Sequence, residues 1–343
     1  MRLGLVNRVV AAAVALAALT AGSGAWAADD KKKADTCQGQ DMLAEVQASS
    51  PDTYEKVMAQ AAATPNADAI LWKIEKDGKP ASYLFGTVHL TDKRVTKLSP
   101  AVEAALDKAK TVALEVADIS DQATASMLAK SAPLVMFTDG RRLDGLLSET
   151  EYQTVKQIVT RSGMPADLAS LFKPWIVTMI MSVSDCERTK MQAGARVLDM
   201  LIAEKGKAHG AKVVGLETMD QQLKALASVP EEQQLKMLRA SLKFADRTND
   251  MMETLVRLYL DRKIAAALPF QIAMARTVGI GDDAFAGFQE KLLTERNERM
   301  SKAAEPLLED GGAFIAVGAL HLPGDDGLVA ILRKQGYTVT AVE

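Results

Sequence analysis

Residues Tyr83–Leu90 read YLFGTVHL, and residues Phe314–Leu322 read FIAVGALHL. Each is an apolar run that closes on Gly-x-x-His-Leu, Gly86 to His89 in one and Gly318 to His321 in the other. The whole chain has only 3 histidines, and these two share one local setting. Neither run alternates apolar with polar residues, which suits strands of a sheet covered by helices on both faces.

Working outward, AILWKIEKDGKPASYLFGTVHL places a second apolar run before the first. KDGKP separates the two, and Asp77-Gly78 is a hairpin signal, so residues 69–76 and 81–88 are predicted to be antiparallel strands. Two helices, GQDMLAEVQAS and PDTYEKVMAQAAAT, precede them. After them the pattern becomes strand, helix, strand. Ser99 and Pro100 stand as N-cap and first helical residue of SPAVEAALDKAK. TVALEVAD, AKVVGLETMD and YTVTAV read as short apolar strands. Residues 120–208 read as a helical insertion with turns at TDGRR and SGMP, and helices again fill about 219–307, with one long helix or two between Pro230 and about Lys263. Met179, Met181, Met251 and Met252 read as core filler. The class is α/β with a large helical insertion.

The first 27 residues are set apart from the fold. Arg2 and Arg8 form a basic start, Val9–Leu19 an apolar run, and Ala25-Trp26-Ala27 a small-x-small cleavage site, the pattern of a Sec-type signal peptide. The run is shorter than the ~20 residues that span a bilayer. WIVTMIMSVS, Trp175–Ser184, is shorter still, so no membrane span is expected in the mature chain, which is read as periplasmic or secreted. In such a compartment the 2 cysteines, Cys37 and Cys186, read by default as a disulfide, with metal ligands or redox thiols as the alternative. The chain has 343 residues, a net charge of −3 and 5% aromatics. Its Lys and Arg interleave with Asp and Glu, so the clustered basic face of a nucleic-acid binder is not expected.

Four predicted strands end on residues that carry chemistry: His89, Glu115, Glu217 and His321. Ligands of open α/β sheets sit beyond the carboxyl ends of the strands. If these strands are neighbours, two imidazoles and two carboxylates meet, a donor set suited to Zn, Mn, Co or Fe with water in an open position. A second carboxylate would then act as general base. The glycines at 86 and 318 would let a backbone or a ligand come close. Taken singly, a histidine after an apolar run is more often a hydrogen-bonded core residue, and a glutamate after a strand is often the first solvated position; the repetition of Gly-x-x-His-Leu favours a functional pair. His209 reads as a residue near a helix end. Arg296, Asn297 and Arg299 lie on a predicted helix, where Glu295 and Arg299 form an i,i+4 pair typical of a solvated face; Arg296 is the candidate for stabilising developing negative charge.

YLFGTVHLTD, VALEV, GKAHGAKVVGLETMDQQ, ERNERM and FIAVGALHLPGDDGLVAILRKQGYTV together resemble the TraB/GumN family, related to the Tiki proteins and more remotely to erythromycin esterase-like and ChaN-like proteins. The resemblance covers about residues 37–343. It implies a single domain over 28–343 with a central mixed sheet flanked by helices. It also implies metal ligands at His89, His321 and Glu115, a contribution from Gly86 and Gly318, catalytic parts for Glu115, Glu217, Arg296 and Asn297, and family positions at Cys37 and Cys186. The implied activity is that of a divalent-metal-dependent hydrolase (Mn, Co or Zn), acting on a peptide or a small amide or ester. The alternative is a non-catalytic protein that sequesters a peptide signal or a metal complex such as haem.

Overall fold

The computed structural model describes residues 39–117 and 131–343. The expected signal peptide at 1–27, the tail at 28–36, Cys37 and residues 120–130 at the start of the insertion lie outside them.

The hairpin forms as the sequence requires. Strands β1 (Leu71–Glu75) and β2 (Ser82–Thr87) pair antiparallel, and the turn between them closes with the Lys79 N–H donating to the Lys76 carbonyl. With β3 (Thr111–Leu114), β4 (Lys212–Gly215), β5 (Ala313–Gly318) and β6 (Thr338–Ala341) they build one sheet in the order β4-β3-β5-β2-β1-β6. The pairs β4–β3, β3–β5 and β5–β2 are parallel, whereas β1 runs antiparallel to both β2 and β6, so the sheet is mixed.

Burial on both faces explains the unbroken apolar runs. Phe85, Val112, Phe314 and Ala316 look into a cluster closed by helices α1 (Met42–Ser49), α2 (Pro51–Ala63) and α3 (Pro100–Asp107). Leu84, Ala113, Ile315 and Val317 look the other way, onto Met300, Leu308 and Leu332. Burying a side chain such as Phe314 stabilises the fold by about 1.5–3 kcal/mol. β4 departs from the expectation of a buried apolar strand: it is the sheet's edge and stays partly exposed.

The insertion has a core of its own. Val155 and Val159 of α4 (Glu149–Arg161) pack with Phe172 and with Ile176 and Ile180 of α5 (Pro174–Met181). Leu223 of α8 (Met219–Ser228) and Leu238 of α9 (Glu231–Lys243) complete this cluster, so helices before and after β4 share it. Of the methionines expected to fill cores, Met181 is buried but Met179 is 45% exposed, because it lies on the face of α5 turned away from that cluster. Between them α6 (Asp185–Gln192) leads to α7 (Leu198–Ala208), which returns to the sheet through Leu198 and Ile202.

The stretch from Pro230 to Lys263 is two helices, α9 and α10 (Thr248–Leu260), broken by a turn at Ala245–Arg247. After α11 (Ala267–Thr277), a π-helical turn at Gln289–Thr294 runs into α12 (Glu295–Asp310); α13 (Leu328–Lys334) follows β5. Among the described residues no helix is long and apolar enough to cross a membrane.

Candidate active site

β5 comes late in the chain yet is inserted between β2 and β3. The four parallel strands point the same way, with Thr87 level with Gly318 and Leu114 level with Ala316 and Gly215. His89, His321, Glu115 and Glu217 therefore leave the sheet at one end, with the His321 turn between the ends of β2 and β3.

Gly86 and Gly318 make room there. A Cβ at Gly86 would stand 3.0 Å from Ala319 and Leu322, so the missing side chain lets the turn that carries His321 pack onto β2. The Gly86 carbonyl also accepts a hydrogen bond from the buried Tyr259 hydroxyl at 2.9 Å. A Cβ at Gly318 would stand 3.2 Å from Glu115 Oε1, and the Gly318 N–H donates to that oxygen at 2.7 Å.

His321 is buried and its protonation state can be deduced. The Asn297 amide nitrogen donates to the Asp326 carbonyl at 2.7 Å, which turns Asn297 Oδ1 toward His321 Nδ1, also at 2.7 Å. Oδ1 is an acceptor only, so Nδ1 carries the hydrogen and Nε2 keeps its lone pair. Burial pushes this imidazole down to about 4 against the pull of Glu115, with Arg296 adding to the depression. His321 is neutral at neutral pH, and its Nε2 lies 3.7 Å from Glu115 Oε1.

His89 is the exposed member of the pair, and its Nδ1 meets Asp199 Oδ2 at 2.8 Å. Asp199 sits in the first turn of α7, where the helix N-terminus favours an anion. Its other oxygen accepts from the Thr87 hydroxyl at 2.6 Å. The Asp199 charge raises His89 to about 9, against the effect of desolvation. Neighbouring imidazoles are thus driven apart, one cationic and one neutral, as in sites that divide acid from base work.

The carboxylates are held by arginines. Arg296 Nε donates to Glu217 Oε2 at 2.8 Å, and its Nη2 lies 2.7 Å from that oxygen and 2.5 Å from Glu115 Oε2. Arg299 donates to Glu217 Oε1 at 3.2 and 3.0 Å, and Gln222 to Glu115 Oε2 at 3.0 Å. Burial opposes ionisation of Glu115. The His321 ring, Arg296, the His89 ring and the Gly318 N–H outweigh it and hold the carboxyl well below the usual range. Arg296 and Arg299, three apart on α12, face Glu217, while Asn297 is turned one step round the helix toward His321. Arg299 is therefore not the solvated partner of Glu295, which pairs instead with Lys291. His209 ends α7 as expected, exposed and 3.3 Å from Asp107.

Among the described residues no group of three or more His, Cys, Asp or Glu side chains is arranged to hold a metal ion. The expected trio of His89, His321 and Glu115 meets at the edge without forming a coordination shell. The reason is visible in its partners: Glu115 is engaged by Gly318, Arg296 and Gln222, and His89 by Asp199. The donor chemistry still fits a metal. Each imidazole is held through Nδ1 by an oxygen, which leaves Nε2 as the atom a metal would take once His89 has lost its proton, the arrangement that orients metal-bound histidines. Sequence reasoning missed Asp199 and Gln222. Asp199 has no motif around it; Gln222 lay in the ETMDQQ run just after Glu217, but without a stated part.

A model of the TraB/PrgY/gumN family matches residues 70–341. The chain belongs to this family. Among similar proteins is human Metalloprotease TIKI1, 27% identical over an alignment of 326 positions that covers 79% of this chain and 61% of the relative. The zebrafish Metalloprotease TIKI1 is 24% identical over 324 residues, 80% of this chain and 64% of the relative. An uncharacterized protein of Treponema pallidum is 21% identical over 276 residues, 78% of this chain and 81% of the relative. The match thus spans less than two thirds of the two metalloproteases. No solved structure matches. The family places both Gly-x-x-His strands, both glutamates and the Arg296–Asn297 pair inside its matched span.

Proposed function

We propose that this chain is a divalent-metal-dependent hydrolase that cleaves peptide bonds at the edge of the sheet. One observation carries the reading: two imidazoles far apart in sequence are each fixed through Nδ1 by an oxygen acceptor, His321 with Nε2 3.7 Å from the ionised Glu115 and His89 close enough for its charge to act on the same carboxylate. The metalloprotease names of the relatives support the reaction class. His89, His321 and Glu115 would hold the ion, which would polarise the scissile carbonyl and acidify a bound water. Binding it requires His89 to give up its proton, so uptake releases a proton near neutral pH. Asn297 keeps His321 in the ligating tautomer, and Asp199 orients His89. Arg296 keeps Glu115 ionised and holds Glu217 beside it; with Nε and Nη2 engaged by carboxylates, Nη1 is the nitrogen left for a substrate oxygen. Glu217, whose side chain is wholly inaccessible, anchors Arg296 and does not itself take a proton from water.

Replacement of His89 or His321 by alanine should remove bound Mn, Co or Zn and peptide hydrolysis while circular dichroism stays unchanged. Chelation should do the same to the wild-type protein, reversibly. Full metal content with full turnover in either variant defeats the assignment. A second reading, stoichiometric sequestration of a peptide or metal complex, is favoured by the arginines that already engage both glutamates. It predicts binding without turnover under every metal tested.

We also infer export through the N-terminal 27 residues and a Cys37–Cys186 bridge tying the start of the mature chain to α6. Peptide mass mapping of the exported, non-reduced protein tests both.

A further inference from the structure

Two cavities adjoin where the insertion meets α9, α10 and α11. The first, about 270 Å³, is walled by Met181, Met237, Met251, Met252, Met274 and Phe270, and no charged residue among those described lines it. The second, about 220 Å³, is polar, and Arg161, Ser184, Asp185, Arg188, Asp246 and Asn249 line it. Met181 and Thr248 belong to the walls of both. In the polar cavity Arg188 is only 9% exposed. Its Nη2 donates to the Val183 and Ile180 carbonyls at 2.9 and 3.3 Å, but Nε and Nη1 are buried without a partner. Asp185 does not relieve them: it is 61% exposed, lies 3.4 Å from Arg161, and comes no closer than 3.9 Å to Arg188 Nη2. A buried guanidinium with open N–H groups is a costly arrangement unless an acceptor meets it.

We propose that these cavities together form a binding site for a fatty acid, the carboxylate on Arg188 and the chain among the methionines. The charge balance selects the head group. Arg161 is taken up by Asp185, so the open N–H groups of Arg188 can offset one negative charge, while the two carboxylates lining the cavity, Asp185 and Asp246, disfavour a phosphate dianion. The tail is selected by the apolar cavity: flexible thioethers mould to an unbranched chain, and the absence of charge there rejects a polar one. The cavity lies near the lower end of the roughly 300–1,000 Å³ of ligand pockets, so a medium-length chain fits. The site is separate from the sheet-edge histidines and does not depend on the hydrolase reading.

Isothermal titration of the full chain with dodecanoate and with dodecanol tests the proposal. Dodecanoate should bind one per chain, with the alcohol on the order of 10- to 100-fold weaker, the loss of one hydrogen-bonded charge. Arg188→Met should erase that preference while keeping the weaker binding of the alcohol; if this variant fails to fold, the wild-type comparison decides alone. His321→Ala should bind dodecanoate as wild type does, which separates failure of this site from failure of the hydrolase reading. Equal affinity for acid and alcohol in the wild type would overturn the proposal, as would an acid preference that survives Arg188→Met. Displacement of dodecanoate by a Leu/Val heptapeptide that binds tenfold tighter through its free carboxyl end would assign the site to a peptide instead.

Discussion

Arg296 should be the single most sensitive charged residue of the fold. Its side chain is 12% exposed and bridges Glu115, 11% exposed, and Glu217, 0% exposed. In Arg296→Met the stem is roughly conserved and the guanidinium is lost. Glu115 keeps the Gly318 N–H and Gln222, while Glu217 keeps Arg299, itself 35% exposed. Two buried carboxylates are then left under-compensated, and removing one partner of a buried pair typically destabilises by about 3–5 kcal/mol. For a chain of this size, with an unfolding entropy of about 0.7 kcal/mol/K, that corresponds to a melting temperature lower by roughly 4–7 °C. Arg299→Met, at the more exposed end of the same network, should cost no more than about 1 kcal/mol. Adding Glu217→Gln to Arg296→Met should recover part of the loss, because the variant no longer buries that charge. Calorimetry on the four chains of this double-mutant cycle gives a coupling energy, expected to exceed about 1.5 kcal/mol. A loss below about 1 kcal/mol in Arg296→Met, or one equal to that of Arg299→Met, would refute the view that this arginine holds the site's acids in place.

Other expectations follow from the same geometry. Asn297→Leu leaves the His321 Nδ1–H unpaired, so metal affinity should fall about 10- to 100-fold, read by titration with Zn; unchanged affinity would remove Asn297 from a positioning part. Gly318→Ala puts a methyl 3.2 Å from Glu115 Oε1 and should displace that carboxylate, costing roughly 1–3 kcal/mol in stability together with activity. The folded-state value of His321, about 4, lies below its ordinary 6.5. The unfolded chain therefore binds the proton first, and this residue's contribution of roughly 3 kcal/mol is present above pH 6.5 and lost as pH falls toward 4. Urea titrations of chelator-treated wild type and His321→Gln should diverge across that window; parallel curves would contradict it. Tyr259→Phe leaves the Gly86 carbonyl without its buried donor and should cost about 1 kcal/mol, measured by the same titration.

What the sequence determined by itself was whatever depends on local pattern. The unbroken apolar runs at 83–88 and 313–318 required a sheet buried on both sides, Asp77-Gly78 required a hairpin, and Ser99-Pro100 placed a helix start. The recurring Gly-x-x-His put two imidazoles at strand ends. The sequence left one helix or two open between Pro230 and Lys263, and the exposure of Met179 was not legible, since both turn on which faces find partners. The tertiary structure alone decided that β5 lies between β2 and β3, which brings the 321 and 89 strand ends level although the chain separates them widely. It alone supplied Asp199, whose position on α7 has no sequence signal, and gave Arg296 and Asn297 to the glutamates and His321. Strand and turn preferences are set by neighbours along the chain. Charge pairing is set by which distant elements pack together, and only the folded sheet edge fixes that.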